Sequence, residues 1–341
     1  MSAIRWSRRR ALEAFGTFVA ASPLLRGQEL IGEPAGRITP KEDLIDVFEV
    51  EAMAKRKLAS TVFSTISGGD RAAFERITFR PRMLVNVQKL DLGVDLFGEK
   101  LFSPIVMGPM MDQLRFHPDG ELASVRGAAA SKTLMVVSSR SSVPIDKVAA
   151  AAKSPLWFQV FPDADFGVVE QAVAAGCKAV CVTVGTPYRG AHMNWDVVEG
   201  WRKRLKVPLV LKGIMTPEEA QTAVQRGVQG IVVSNYGGLF STGLAAPLEM
   251  LPSIADAVGG KIPVLVDGSF RRGTDILKAL AFGARAVMIG RPAMWGLGAY
   301  GADGVQVVFQ MLQGELARDM GHCGRPSIAS IDRSLIKVHR R

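Results

Sequence analysis

Short runs of apolar residues alternate with helical patterns over most of the chain. Because these runs are continuously apolar, we expect strands that are buried on both faces, as in a parallel sheet. Eight of them, with helices between, close a barrel more readily than they fill an open sheet. The pattern therefore predicts an α/β fold, a TIM-type (β/α)8 barrel. The predicted strands are Ile105–Gly108, Leu134–Val137, Leu156–Phe161, Ala179–Val184, Leu209–Leu211, Gly230–Ser234, Val264–Val266 and Ala286–Ile289.

An N-terminal helical extension is expected before the barrel. Apolar residues between Lys41 and Ser67 recur at helical spacing, which predicts two helices, and a short paired segment is expected around Leu90–Leu101. Pro34, Gly36 and Pro40 indicate a linker. The predicted division is a signal at residues 1–30, a linker at 31–45 and the barrel domain at 46–341.

The N-terminus itself suggests export. Ser7 and the three arginines Arg8, Arg9 and Arg10 precede a moderately apolar run from Phe15 to Leu25, which is too short to span a bilayer. This pattern resembles a twin-arginine signal and predicts a periplasmic protein. The alternative is a basic tail on a cytoplasmic protein.

Composition narrows the classes of partner. The formal net charge is +10 over 341 residues, but the basic residues are scattered and aromatic residues make up only 7%. No basic helix or aromatic-interleaved patch is present, so no nucleic-acid partner is expected. Cys177, Cys181 and Cys323 lack the spacing of metal ligands, so we expect buried free thiols and no metal site.

The last βαβ unit carries the strongest chemical signal. Residues 263–292 read PVLVDGSFRRGTDILKALAFGARAVMIGRP, with glycine and arginine just after each of the two strands. Gly268 and Gly290 allow close backbone approach, and Arg271 and Arg291 suit a phosphate. Two adjacent strand ends that meet at one anion are typical of phosphate sites in such barrels. The alternative is that the glycines only form turns and the arginines lie in solvent.

Other strand ends carry polar groups suited to a flat heterocycle. Ser138, Gln159 and Thr183 are uncharged donors and acceptors, and Lys212 is a cation after the fifth strand. A cation beside an electron-accepting ring stabilises the charge that forms on reduction. The alternative for Lys212 is a partnered structural lysine.

As a set, these residues resemble the FMN-dependent α-hydroxy acid dehydrogenase and oxidase family. The likeness runs from about Phe48 to Val338, through FRPRMLVNV, SPIVMGPM, HPDGELASVRGAAA, TVGTP, VPLVLKGI, GIVVSN, VLVDGSFRRGTDILKALAFGARAVMIGRP and IDRSLI. The resemblance implies FMN as cofactor and a homotetramer. It implies contacts of Ser138, Gln159 and Thr183 with the isoalloxazine and of Lys212 with its N1–O2 edge. It implies ribityl and phosphate contacts from Asp267, Gly268, Arg271, Gly290 and Arg291.

The substrate side departs from the family's pattern. Tyr236 stands where the family has its histidine base, and Leu239 where it has the arginine that binds the substrate carboxylate. A tyrosine, with an ordinary pKa of ~10, is a poor base at neutral pH. Four further active-site positions also differ, and they are occupied by Thr65, Arg140, Phe161 and Gly185.

Three functions remain open from the sequence. In the first, the protein is an FMN oxidoreductase for an altered small-molecule substrate, such as an organic acid, with Tyr236, His192 and Arg140 as candidate catalytic residues and Arg189 as a further anion contact. In the second, it binds FMN without hydride transfer and carries flavin or electrons. In the third, it is an isomerase or lyase of a phosphorylated metabolite. The third is disfavoured because such a ligand does not require Ser138, Gln159, Thr183 and Lys212 together.

Overall fold

The computed structural model describes residues 37–184, 194–236 and 245–339. The chain divides into two units, Met1–Asp43 and Leu44–Arg341. In the first unit, Lys41–Asp43 forms a 3-10 turn. All features that follow belong to the second unit.

Short helices and strands precede the barrel. Helix α1 (Val47–Lys57) begins at Asp46, whose carboxylate accepts hydrogen bonds from the backbone of the first turn. It is followed by α2 (Ser60–Phe63), α3 (Ala72–Glu75) and β1 (Ile77–Phe79). The helices predicted between Lys41 and Ser67 correspond to α1 and α2. The paired segment predicted around Leu90–Leu101 is the hairpin of β2 (Val94–Leu96) and β3 (Glu99–Leu101).

Eight parallel strands close a barrel, which confirms the predicted fold. Its strands are β4 (Ile105–Met107), β5 (Leu134–Ser138), β6 (Leu156–Val160), β7 (Val180–Thr183), β8 (Leu209–Ile214), β9 (Gly230–Val233), β10 (Val264–Val266) and β11 (Ala286–Ile289). Parallel pairing of β11 with β4 closes the barrel. Strand β8 extends beyond its predicted end because Lys212 and Gly213 continue it without being apolar, through an irregularity in its pairing with β9.

Helices surround the barrel between successive strands. They are α4 (Gly120–Ala130), α5 (Ile145–Ala151), α6 (Phe166–Ala174), α7 (Trp195–Arg204), α8 (Pro217–Gln225), α9 (Pro247–Val258), α10 (Gly273–Ala281) and α11 (Arg291–His322), with 3-10 turns at Gln113–Arg115, Ile328–Ser330 and Arg333–Leu335. Gly301, with a φ of 63°, interrupts α11 as a kink. Strand β12 (Ile336–Val338) pairs with β1, a contact that the sequence did not predict. No helix within the described ranges is long and apolar enough to cross a membrane.

Alternate residues of each strand point into the barrel and form its core. The hairpin of β2 and β3 closes the N-terminal end, where the rings of Phe97 and Trp157 lie 5.5 Å apart. The inward-facing core residues of the barrel strands are Val106, Leu134, Val136, Trp157, Ala179, Cys181, Val210, Val232, Leu265, Ala286 and Met288. Because strand side chains alternate with a period of two, the next inward position on β5 to β8 carries Ser138, Gln159, Thr183 and Lys212. The apolar core thus gives way to a polar layer at the C-terminal end.

Candidate active site

A cleft opens at the C-terminal end of the barrel, where active sites of this fold lie. It encloses about 1010 Å³, including the open space at its mouth. It is bordered by residues at or just after the C-terminal ends of seven of the eight barrel strands, and by Thr65 of the N-terminal segment. Of the nine predicted FMN contacts, eight line the cleft: Gln159, Thr183, Lys212, Asp267, Gly268, Arg271, Gly290 and Arg291.

The ninth, Ser138, contacts Gln159 in a buried row of hydrogen bonds. The Ser138 hydroxyl donates to Gln159 Oε1 over 2.8 Å, and Gln159 Nε2 donates to Thr183 Oγ1 over 2.8 Å. All three side chains are at most 2% exposed. The row fixes the orientation of the Gln159 amide, which lines the cleft.

Lys212 lies in a second buried polar group. Its Nζ is 2.8 Å from Asp267 Oδ2 and donates to Ser234 Oγ over 2.7 Å, and the Ser234 hydroxyl donates to Asp267 Oδ2 over 2.9 Å. The other oxygen, Asp267 Oδ1, is buried and has no hydrogen-bond partner among the described residues. A buried acceptor without a partner fits the hydroxyl groups of a ribityl chain.

Two arginines lie together at the other end of the cleft. Arg271 is only 3% exposed, and its guanidinium donates to the carbonyl oxygens of Phe270 (2.8 Å) and Gly68 (3.1 Å). The Arg291 guanidinium donates to the same Gly68 carbonyl over 2.9 Å. The alternative that these arginines extend into solvent is therefore wrong for Arg271.

The charges at this end favour an anion. Burial, and then the neighbouring positive charge of Arg291, lower the pKa of Arg271 to about 9. Burial also lowers the pKa of Arg291. The carboxylate of Glu51 is near enough for both arginines to lower its pKa, although burial raises that pKa overall. Two cations side by side, Arg271 buried and Arg291 partly buried, are stabilised by a doubly charged phosphate, so the donor set fits FMN.

The backbone geometry at Gly268 and Gly290 also supports a phosphate site at this end of the cleft. Gly268 has a φ of +103°, and a Cβ there would lie 3.2 Å from the side chain of Pro247. Gly290 is the N-cap of α11, so the positive end of that helix and the backbone N–H of Arg291 lie at the cleft, while the Ala293 N–H donates to the Gly290 carbonyl oxygen over 3.0 Å. Helix N-termini bind phosphate readily, which agrees with the predicted phosphate site.

The structure places Tyr236 in the cleft with its hydroxyl already bonded. The hydroxyl donates to the carbonyl oxygen of Val184 over 2.7 Å, and Lys212 Nζ lies 4.9 Å from the ring centroid. Its φ of 59° is in the left-handed region, which is uncommon for residues other than glycine. The side chain thus connects the end of β9 to the end of β7.

Arg140, a predicted catalytic residue, lies beside the cleft and does not line it. Its guanidinium is 2.9 Å from a carboxylate oxygen of Asp163 and stacks 4.3 Å from the ring centroid of Phe161, which does line the cleft. The candidates Arg189 and His192, and the altered family positions Gly185 and Leu239, lie outside the described residues. Their roles stay predictions.

Apart from the predicted FMN contacts, the described wall of the cleft is uncharged. Among the described residues that line the cleft, the charged ones are Lys212, Asp267, Arg271 and Arg291, and all four are predicted FMN contacts. The remaining wall is formed largely by Thr65, Pro109, Met110, Met111, Phe161 and Tyr236. The described wall therefore offers no additional cation to a substrate carboxylate.

The contribution of residues 68–71 and of Ser234 to this site was not predicted from the sequence. Gly68, Gly69 and Arg71 lie against the arginine end, and Ser234 joins Lys212 to Asp267. A Ser-Gly-Gly-Asp run at residues 67–70 is a turn signal that was available in the sequence. Only the tertiary structure shows that this turn meets strand ends some 200 residues away.

Comparison with known proteins places the chain among flavin enzymes. The sequence profile of FMN-dependent dehydrogenases matches residues 65–193 and 187–338. An L-lactate oxidase of Nostoc sp. is 38% identical over 86% of this chain and 98% of its own. A peroxisomal (S)-2-hydroxyacid oxidase of Arabidopsis thaliana is 34% identical over 87% of this chain and 97% of its own. A crystal structure of mandelate oxidase with (S)-2-phenylpropionate superposes with a TM-score of 0.83 at 34% identity, covering 87% of this chain and all of the other.

Proposed function

We propose that this chain, which belongs to the family of FMN-dependent dehydrogenases and is an FMN-dependent oxidoreductase, acts on a substrate other than a simple 2-hydroxy acid. Relatives in this family include oxidases of lactate and of 2-hydroxy acids. The proposal is that the cofactor side of the cleft is kept and the substrate side is rebuilt for another small molecule.

Bound FMN supplies an acceptor for a hydride from the substrate. In this proposal Gln159 and Thr183 bind the polar edge of the ring system, and Lys212 offsets negative charge beside it. Asp267 Oδ1 accepts a hydrogen bond from the ribityl chain, and Arg271 and Arg291 bind the phosphate. The buried positions of Gln159, Thr183, Lys212 and Arg271 support this assignment, as does Asp267 Oδ1, which is buried without a hydrogen-bond partner among the described residues.

The hydrogen bond from Tyr236 to Val184 carries the proposal on the substrate side. Oxidation of a 2-hydroxy acid requires a group that takes the hydroxyl proton as hydride leaves. At the position of the family's histidine, this chain has a phenol whose proton is held by a backbone carbonyl. Such a phenol is suited to holding the ends of β7 and β9 together and poorly suited to accepting a proton.

The charge of the cleft wall gives a second argument. A substrate carboxylate needs a cation to hold its α-carbon over the ring. Among the described lining residues, the cations are all on the cofactor side, and Arg140 is paired with Asp163. Arg189 and His192 remain the candidates for an anion contact and a displaced base in a rebuilt site.

Two measurements test the proposed function. Purified protein should show a flavin spectrum, and anaerobic mixing with a panel of acids, alcohols and amines should identify the molecule that bleaches it. Bleaching by a compound outside the simple 2-hydroxy acids supports the proposal. If no compound in a broad panel reduces the flavin, while a chemical reductant does, the alternative of a flavin-carrying protein gains support.

Export and assembly are further parts of the proposal. Arg8, Arg9 and Arg10 before an apolar run support transport of the folded, FMN-loaded protein to the periplasm. Resemblance to the family supports a homotetramer. Fractionation of cells and light scattering of the purified protein test these two statements separately.

A further inference from the structure

Residues 66–71 cross the arginine end of the cleft and are bonded to it at both ends. At the start, the indole nitrogen of Trp295 donates to the carbonyl oxygen of Ile66 over 3.0 Å. At the end, the Arg71 guanidinium binds both carboxylate oxygens of Asp275, at 2.7 and 3.2 Å, and donates to the carbonyl oxygen of Ser269 over 2.8 Å. We name residues 66–71 the phosphate strap.

The partner of Arg71 also holds the loop that carries the phosphate-site arginine. Asp275 is 1% exposed, and its Oδ2 accepts hydrogen bonds from the backbone N–H groups of Arg271 (2.9 Å) and Arg272 (3.0 Å). A single buried carboxylate thus fixes Arg71 of the strap and the backbone of Arg271 together. A change at Arg71 is therefore transmitted to the phosphate site.

The middle of the strap contacts both cations directly. The Gly68 carbonyl oxygen accepts from Arg271 Nη2 over 3.1 Å and from Arg291 Nη1 over 2.9 Å. A shared neutral acceptor holds two like charges side by side without neutralising them. Arg291 Nη2 also donates to Ser269 Oγ over 3.4 Å, and a phosphate, with its stronger negative charge, competes with these neutral acceptors for the guanidinium N–H groups.

From these contacts we propose that the phosphate strap positions Arg271 and Arg291 for the phosphate of FMN. The strap sets the preference of the protein for FMN over riboflavin, which lacks that phosphate. Arginine side chains lose considerable freedom when they are held, so a strap that holds them before the ligand binds strengthens binding. This inference depends on FMN as cofactor and is independent of which substrate the enzyme oxidises.

The glycine at the middle of the strap gives a way to test this. Gly69 has a φ of +132°, and a Cβ there would lie 2.7 Å from Ser269 Oγ and 3.0 Å from Arg291 Nη2. An alanine would therefore displace the Ser269 hydroxyl and shift the Arg291 guanidinium by a few tenths of an ångström, on a backbone that is strained for any residue but glycine. Gly176 has a φ of +103° with no atom within 4 Å of an added Cβ, and it precedes β7 at the opposite end of the barrel. Gly176→Ala is thus a matched control for backbone strain.

The experiment measures which flavin the protein retains. Holoenzyme is dialysed against mixtures of FMN and riboflavin, and the bound flavins are separated and quantified by chromatography. Gly69→Ala should lower the preference for FMN at least tenfold relative to the parent, and Gly176→Ala should leave it unchanged. Arg71→Lys, which keeps the charge but loses the two-oxygen contact with Asp275, should lower the preference in the same direction.

Measuring riboflavin binding separates a loss of arginine positioning from a general loss of flavin binding. If Gly69→Ala and Arg71→Lys weaken binding of both flavins equally, the strap has only a structural role and the proposal is overturned. It is also overturned if both variants keep the parent's preference. Should Gly69→Ala fail to fold, Arg71→Lys alone decides between these outcomes.

Discussion

The hydroxyl of Tyr236 donates a 2.7 Å hydrogen bond to the carbonyl oxygen of Val184, across the end of β8. Gly213 of β8 lies beneath this contact, and a Cβ there would be 2.3 Å from the Val184 oxygen and 3.5 Å from the Tyr236 hydroxyl. The three strand ends are therefore packed so closely that the tyrosine acts as a brace between them.

Removing the Tyr236 hydroxyl should affect stability and spare the cofactor. Tyr236→Phe keeps the ring beside Lys212 and deletes the hydrogen bond to Val184, whose loss should lower the free energy of unfolding by about 0.5–1.5 kcal/mol. Urea unfolding measures this change, and the flavin absorbance of the holoenzyme should stay unchanged. A variant as stable as the parent would show that this hydrogen bond does not hold the ends of β7 and β9 together.

Lys212 and Asp267 should prove strongly coupled. Their side chains are only 7% and 17% exposed, so Lys212→Met leaves Asp267 without its buried partner and should cost about 3–5 kcal/mol. Adding Asp267→Asn removes the stranded charge, so the double variant should be more stable than the sum of the two single changes predicts. Urea unfolding of the parent, the two single variants and the double variant gives the coupling free energy. Strictly additive changes in stability would contradict the predicted coupling.

The eight strands were predictable because a buried parallel strand has a distinctive, continuously apolar sequence. The end of β8 was not, because Lys212 and Gly213 look like a loop when taken alone. The pairing of β1 with β12 joins three-residue segments from opposite ends of the domain, and strands so short carry little local signal.

The candidate site was predictable in part for a related reason. Strand ends of a barrel meet at one rim, so Gln159, Thr183 and the residues of the last two loops could be grouped without knowing any distance. The ion pair of Lys212 with Asp267 and the contact of Gly68 with both arginines depend on side-chain directions and on a long-range approach of the chain. Neither contact produces a periodic pattern of residues in the sequence.

Arg291 should be required for tight FMN binding. Arg291→Ala removes a charge-assisted contact worth about 1.5–3 kcal/mol, which corresponds to at least a tenfold loss of affinity. Fluorescence titration with FMN measures this loss of affinity. Arg226→Ala, which breaks an exposed pair with Glu199, is the matched control and should bind FMN as the parent does. Equal affinity of the Arg291 variant and the parent would remove Arg291 from the phosphate site.

The N-terminal arginines should govern export. Replacing Arg8, Arg9 and Arg10 together by lysine keeps the charge and removes the arginine motif. We expect the protein to disappear from the periplasmic fraction and to accumulate, with flavin bound, in the cytoplasm. Immunoblots of both fractions decide this, and an unchanged periplasmic amount would count against a twin-arginine signal.

Anaerobic stopped-flow mixing of the unmodified holoenzyme with glycolate, lactate and mandelate tests the rebuilt substrate side most directly. General base catalysis contributes typically about 10²–10⁴-fold, and the histidine position holds Tyr236, bonded to Val184. We predict that none of the three acids bleaches the flavin rapidly, while dithionite reduces it fully. Rapid bleaching by any of the three would show that the enzyme oxidises simple 2-hydroxy acids without the histidine, and would contradict the account.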